Sequence, residues 1–266
     1  MVTAAQPDYS IIVPAFNESQ RIRACLENIL ATLDAEEWNA EILVVNDGSR
    51  DDTAAIVQQF ASVDPRVRLV SYPQNRGKGY AVRQGFRESL GRVVMFTDAD
   101  LSAPIVEAER LFAAIRGGAD IAIGSRWLGR HIFDRHIFDR SRQAHSQPLH
   151  RQLLGRCFNL ITRVGIGLKF HDTQCGFKAF TREAAQTIFQ LQTIQGWGFD
   201  PEILFIAEKR HFRMEEVAVT WEHDERSHLS YLRDGIQILR EMAVVRKNAS
   251  LGRYNVPVQP IRRQVG

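Results

Sequence analysis

The sequence is short of several things, and each shortage excludes something. Only three cysteines occur in 266 residues: Cys25, Cys157 and Cys175. Their odd number and wide scatter match neither a disulfide framework nor zinc-ligand spacing, and they fit reduced thiols. No run approaches the ~20 uninterrupted apolar residues that a spanning helix needs. The nearest, Cys157 to Phe170, is broken by Arg163 and Lys169. Residues Met1 to Asp8 hold neither a basic nor an apolar segment, so no signal peptide is expected and the expected compartment is cytoplasmic. There is no G-x-G-x-x-G turn after the first apolar run and no Walker A sequence. A Rossmann dinucleotide site and a P-loop are therefore unexpected. No basic segment is interleaved with aromatics, which argues against nucleic acid as a partner.

What is present is an ordinary globular composition, 44% hydrophobic and 24% charged, which excludes disorder as the main description. The net charge of +3 hides a division. Residues 1–125 carry 12 basic and 17 acidic side chains, whereas residues 126–266 carry 22 and 14. An acidic front and a basic back imply different partners for the two halves.

Short, nearly continuous apolar runs alternate with helical patterns in the first half. The runs are Ser10–Pro14, Glu41–Asn46, Arg68–Tyr72, Val93–Thr97 and Ile121–Gly124. Strands covered on both faces read this way. Stripes such as Ile22, Leu26, Ile29 and Leu33 mark the helices between them. The order predicts an α/β fold with a mostly parallel sheet flanked by helices, whose ligand site lies beyond the carboxyl ends of the strands. In the second half, residues 127–149 read as a long loop carrying the pentapeptide His-Ile-Phe-Asp-Arg twice (131–135 and 136–140). Helical patterns run from His150 to Val164, from Arg182 to Leu191 and onward from Pro201. Val217–Trp221 reads as a late strand, and Leu229, Leu232, Ile236, Leu239 and Met242 recur at helical spacing. That last stripe suits either an interfacial helix with basic residues on anionic lipid or a helix packed on the core, and packing is favoured. His131, His136, His145 and His150 lack a metal spacing. With no linker in view, residues 9–247 read as one domain, with halves 9–126 and 127–247. Residues 1–8 and 248–266 are read as tails, the second polar and frayed.

The chemistry-bearing residues sit at the ends of the runs. Asn46-Asp47-Gly48-Ser49 closes the second run, and Asp98-Ala99-Asp100 closes the fourth. Two carboxylates at i and i+2 behind an apolar strand can hold a hard divalent cation together with substrate phosphates. A D-x-D pair is also common in solvated turns, so its position carries the weight.

Taken together, several segments resemble family 2 glycosyltransferases of the GT-A fold. They are Ile12-Val13-Pro14-Ala15-Phe16-Asn17-Glu18, Val44-Val45-Asn46-Asp47-Gly48-Ser49 with Asp51-Asp52-Thr53, Asn75-Arg76-Gly77-Lys78-Gly79, Phe96-Thr97-Asp98-Ala99-Asp100-Leu101 and Gly124-Ser125-Arg126. Asp172-Thr173-Gln174-Cys175-Gly176-Phe177-Lys178 and Trp197-Gly198-Phe199-Asp200-Pro201-Glu202 look like the dolichyl-phosphate β-glucosyltransferase branch, near kin of the mannose synthases. The resemblance implies an inverting, metal-dependent transfer of glucose from a UDP-sugar donor to a polyprenyl (dolichyl-type) phosphate acceptor. It implies a nucleotide-sugar pocket of Pro14, Ala15, Asn17, Glu18, Asp47, Gly48, Arg76, Lys78, Asp98 and Ala99. Within it Asp47 would accept from the uracil imide, and Asp98 and Asp100 would hold Mg²⁺ or Mn²⁺. The mannose synthases carry a metal-binding Gln where this chain has Ser102. No Q-x-x-R-W motif follows Asp200, so processive synthesis is not implied. Alternatives are mannosyl or N-acetylhexosaminyl transfer, or a catalytically silent sugar-nucleotide binder.

An acceptor phosphate oxygen is already ionised at neutral pH, so the site needs positioning cations rather than a strong base. Arg126 and Lys178 are the candidate cations, with a surface ion pair and an exposed strand position as their plain alternatives. Asp200 sits where related transferases place a base and is read as orienting sugar or acceptor; a helix N-cap before Pro201 is the competing reading. Cys175 is read as packing. The basic half is expected to meet an anionic membrane peripherally, at its inner face, which leaves room for a membrane-anchoring protein.

Overall fold

The computed structural model describes residues 6–128, 162, 164–221 and 231–258. Its strands are β1 (Tyr9–Ala15), β2 (Ala40–Asp47), β3 (Val67–Tyr72), β4 (Val93–Phe96), β5 (Ile121–Ser125), β6 (Lys178–Thr181) and β7 (Met214–Ala218). Its helices are α1 (Ile22–Ala35), α2 (Thr53–Val63), α3 (Lys78–Glu88), α4 (Ala108–Arg116), α5 (Arg182–Leu191), α6 (Phe199–Lys209) and α7 (Tyr231–Ser250). The strands form one seven-stranded sheet in the order β3-β2-β1-β4-β6-β5-β7. All pairs are parallel except those of β6, which runs antiparallel to both β4 and β5.

Both faces of the sheet are covered, so the strands lack polar alternation. Ile12, Leu43, Val94, Phe96 and Phe180 face one core, closed by α3, α5, α6 and α7. Ile11, Val13, Val44, Met95 and Ala179 face the other, closed by α1, α2 and α4. The two sets alternate along each strand, as the period of two demands. The five apolar runs expected as strands are all strands, and the helix expected at Arg182–Leu191 is α5. Its N-cap is Thr181, whose hydroxyl accepts from the Ala184 N–H at 3.3 Å.

Four details of the second half differ from expectation. The late strand is Met214–Ala218 rather than Val217–Trp221. Among the described strands it is at the sheet edge, paired with β5, where Glu215 and Glu216 are tolerated and hide the strand from a search for apolar runs. The helix expected from Pro201 begins at Phe199, which places Asp200 inside the first turn and makes Gly198 the N-cap. Of the stripe expected on α7, Met242 is buried in the core and Leu239 is exposed; the buried face of the helix also carries Ile238 and Val245, which the stripe did not include. The segment after α7 does not fray at once, because Tyr254 is buried and its hydroxyl donates to Glu202 Oε1 at 2.8 Å. The tandem pentapeptide, the four spaced histidines and most of the expected 150–164 helix lie outside the described residues.

Candidate active site

A cleft of about 510 Å³ opens at the carboxyl ends of β1, β2 and β4, beside the start of α3. Of the residues expected in a nucleotide pocket, Pro14, Ala15, Asn17, Glu18 and Asp47 line its β1–β2 side. Lys78, Asp98, Ala99 and Asp100 line the other. Phe16, Arg21, Asn75 and Trp197 also line it, and residue type alone did not single them out. Parallel strands bring these residues together because their carboxyl ends all point to one edge of the sheet.

The loops around the cleft are tied to one another. After β1 the chain turns at Asn17, whose φ of 56° is unusual for a residue with a side chain. Asn17 N–H donates to Ser49 Oγ at 2.9 Å, and Arg50 N–H donates back to Asn17 Oδ1 at 2.9 Å. Glu18 N–H donates to Thr53 Oγ1 and Ser19 N–H to Asp51 Oδ2. Burial works against the Asp51 carboxylate, but bonds from Thr53 and Ser19 outweigh it and hold the pKa at about 2. Asp51 and Thr53 are therefore braces between the first two loops.

Asp47 is buried, and its oxygens accept from the Arg76 and Gly77 amides at 2.8 Å each. It thus fixes the loop before α3 while lining the cleft. Gly48 does not line the cleft. It supplies a left-handed turn (φ 69°) where a Cβ would lie 2.6 Å from the Asn75 backbone nitrogen. The Arg76 side chain is not brought to the cleft either. It stacks over Tyr80, 3.8 Å from the ring centroid, and donates to the Tyr80 hydroxyl.

At the β4 end, Lys78 Nζ lies 2.5 Å from Asp98 Oδ1. Burial works to lower the lysine's pKa, but the charges of Asp98 and Asp200 raise it above the ordinary value. Asp100 Oδ1 accepts from the Ser102 N–H at 2.9 Å. Burial, reinforced by the charge of Asp98, raises the Asp100 pKa. Ser102 is buried and serves Asp100 through its backbone. Gly176 lies so close to the Asp98 carboxylate that a side chain there would displace it. That close approach accounts for the glycine in the DTQCGFK segment.

The two candidate cations of the second half are each paired with a carboxylate of that half. Arg126 donates from Nε and Nη2 to the two oxygens of Asp172 at 2.6 and 2.8 Å. Arg126 is 22% exposed and Asp172 1%. Burial would raise the Asp172 pKa, but the guanidinium charge wins and lowers it. Glu216 on β7 accepts from the His171 and Asp172 amides, and Trp221 stands 5.0 Å from the Arg126 guanidinium. Lys178 is fully buried, with Nζ 2.5 Å from Asp200 Oδ1 and 2.5 Å from the Cys175 carbonyl oxygen. Direct contact of Lys178 with an acceptor phosphate does not fit this burial; the lysine neutralises Asp200 instead. Neither the exposed-strand reading of Lys178 nor the N-cap reading of Asp200 holds. Burial raises the Asp200 pKa against the opposing charges of Lys178 and Lys78. Cys175 is buried, and desolvation pushes its thiol up to about 12, consistent with packing. Asp172 received no role from sequence, although its motif was singled out; pairing with Arg126 across 46 positions has no local signature.

Among the described residues no cluster of three or more His, Cys, Asp or Glu is arranged to hold a metal by itself. No helix among them is long and apolar enough to cross a membrane.

A seven-stranded, mostly parallel sheet with acidic side chains at its strand ends is the architecture of nucleotide-diphospho-sugar transferases of the GT-A fold. The sequence model for glycosyl transferase family 2 matches residues 10–189, and the chain belongs to that family. It is 42% identical over 224 residues to a dolichyl-phosphate beta-glucosyltransferase of Trichomonas vaginalis, covering 80% of this chain and 63% of that protein. It is 32% identical over 258 residues to the enzyme of that name from Dictyostelium discoideum, covering 93% of this chain and 76% of that protein. The chain thus spans under two thirds of the first relative's length and about three quarters of the second's. Among solved structures, a glucosyl-3-phosphoglycerate synthase from Mycobacterium tuberculosis in complex with Mn²⁺, UDP and glucosyl-3-phosphoglycerate superposes with a TM-score of 0.64 at 20% identity. That match covers 95% of this chain and 82% of the other, and it supports the fold.

Proposed function

We propose that this chain transfers glucose from UDP-glucose to a dolichyl-type polyprenyl phosphate with inversion, giving a β-linked lipid-phosphate sugar. The observation that carries the reading is the cleft wall of Lys78, Asp98 and Asp100, which sets a cation and a carboxylate pair at the ends of parallel strands. The names of the two relatives supply the sugar and the acceptor class.

In this reading Pro14, Ala15 and Asp47 receive the uracil, and each Asp47 oxygen keeps a lone pair for the imide N–H. Lys78 exchanges part of its bond with Asp98 for a diphosphate oxygen. The Asp98–Asp100 pair fits a hard divalent cation, Mg²⁺ or Mn²⁺, because burial and mutual repulsion leave Asp100 short of positive charge. When bound, such a cation offsets charge on the departing diphosphate. Arg126 spends Nε and Nη2 on Asp172, which leaves Nη1 to draw the acceptor phosphate. Asp200, neutralised by Lys178, orients the sugar and removes no proton, since the attacking phosphate oxygen is already ionised. The enzyme works peripherally at the cytosolic membrane face, alone or with an anchoring protein.

The test is incubation with Mg²⁺ or Mn²⁺, a short polyprenyl phosphate and a panel of UDP- and GDP-sugars, followed by mass spectrometry of the lipid fraction. Lipid-linked hexose from UDP-glucose is expected. Intact UDP binding with no lipid-linked sugar would sink the assignment.

A further inference from the structure

The cleft contains one side chain from beyond residue 100 among the described residues, and it is aromatic: Trp197. Its loop is clamped from several sides. Glu202 of α6, fully buried, accepts from the Thr193 N–H and hydroxyl and from the Ile194 N–H at 2.6 to 3.0 Å. Glu241 of α7 accepts from the Gly198 N–H at 2.7 Å. The Gln195 carbonyl accepts from the Tyr80 N–H at 3.2 Å and would lie 2.5 Å from a Cβ on Gly77. A tryptophan 37% exposed on so firmly held a loop is presented rather than left over.

Its position says what it is presented to. The indole stands 5.2 Å from Lys78 Nζ, and that ammonium rests on Asp98 and feels the charge of Asp200. Trp197 also lies three residues before Asp200, at the entrance to α6. Among the described residues it is therefore the side chain that the second half contributes to the cleft. In an inverting transfer the acceptor approaches opposite the leaving group; with the nucleotide on the first half and the acceptor phosphate drawn by Arg126, as in the reading above, the transferred sugar would lie between the two halves. The C–H face of a hexopyranose is apolar and carries partial positive charge, which suits an aromatic face as a cation does. We infer that Trp197 is the donor-sugar recognition wall: its indole stacks on the hexose of the nucleotide sugar, with Glu241 as the positioning residue that holds its loop. This rests on the nucleotide-sugar reading above and adds a sugar-specific contact to it.

Comparison of UDP with UDP-glucose isolates the hexose. Titration calorimetry with Mg²⁺ present is run on wild type, Trp197→Phe, Trp197→Leu and Glu241→Gln, each checked by circular dichroism and thermal melting. Trp197→Leu is expected to weaken UDP-glucose by about tenfold, the order of one well-made aromatic contact, while UDP changes by less than about twofold. Trp197→Phe should recover most of that loss, and Glu241→Gln should shift the same ratio by a smaller amount. Equal weakening of UDP and UDP-glucose would place the indole on the nucleotide and overturn the inference, as would no change in either. Failure of wild type to bind UDP at all would instead overturn the nucleotide-sugar reading itself.

Discussion

The two halves of the site use the same ionic groups in opposite settings. In the front half, Lys78 and Asp98 pair at the cleft wall with side chains 14% and 29% exposed. In the back half, Lys178 and Asp200 pair at the same 2.5 Å separation with exposures of 0% and 5%. The first pair can trade a partner for a diphosphate or a cation at lower cost than the second, because the cleft still gives the Asp98 carboxylate partial access to water. The second cannot open without leaving a bare charge in the interior. A basic composition in the second half therefore does not mean freely available cations. The lysine nearest the chemistry is spent on holding a carboxylate, and the arginine is half spent.

The sharpest way to break this contrast is to remove one partner from each pair. Lys178→Met should leave Asp200 buried without its direct partner, with only the charge of Lys78 nearby, and cost roughly 3–5 kcal/mol in urea denaturation. Adding Asp200→Leu should recover much of that stability but not turnover. A single variant as stable as wild type would show the pair to be solvated after all. Asp100→Asn should lower turnover by at least about a hundredfold with the melting temperature nearly unchanged, the scale of losing one electrostatic stabiliser. Retained activity would remove Asp100 from the site. Lys78→Met should raise the dissociation constant for UDP by about tenfold while costing less stability than Lys178→Met, because its partner Asp98 keeps partial access to water. A large stability loss there would erase the contrast with Lys178.

The smallest effect concerns pH. The folded-state pKa of Asp172 is depressed by Arg126. Its contribution to stability is therefore full above the unfolded carboxylate pKa and is lost as pH falls through the depressed folded value. Asp172→Asn should flatten the acid limb of stability against pH. A limb identical to wild type would exclude that linkage.

Much of the front half was legible from sequence because its signals are local. Continuous apolar runs marked doubly covered strands, and polar residues just past them had to fall at one sheet edge. Nine of the eleven residues expected in the nucleotide and metal site, Pro14 to Asp100, line the cleft at or near that edge. Arg76 and Gly48 do not line the cleft, and their backbone acts instead: the Arg76 amide holds Asp47, and Gly48 makes the turn. The back half was less legible because its pairings are distant. Asp172 lies 46 positions from Arg126 and Asp200 lies 22 from Lys178, and no periodicity encodes either. The edge strand β7 hid behind its glutamates, one of which supports the Asp172 backbone.

Sequence alone determined the alternation of strands and helices, the family resemblance and the acidic strand ends. Each follows from residue order within a few positions of the chain. Tertiary structure decided which charges face a ligand and which are buried against each other. Burial depends on what the rest of the chain packs over a side chain, and the cost of desolvating an ion makes that packing decisive for its role. Trp197 shows the same division: its type was readable, but only the packing of α3, α6 and α7 around its loop puts the indole beside Lys78 in the cleft.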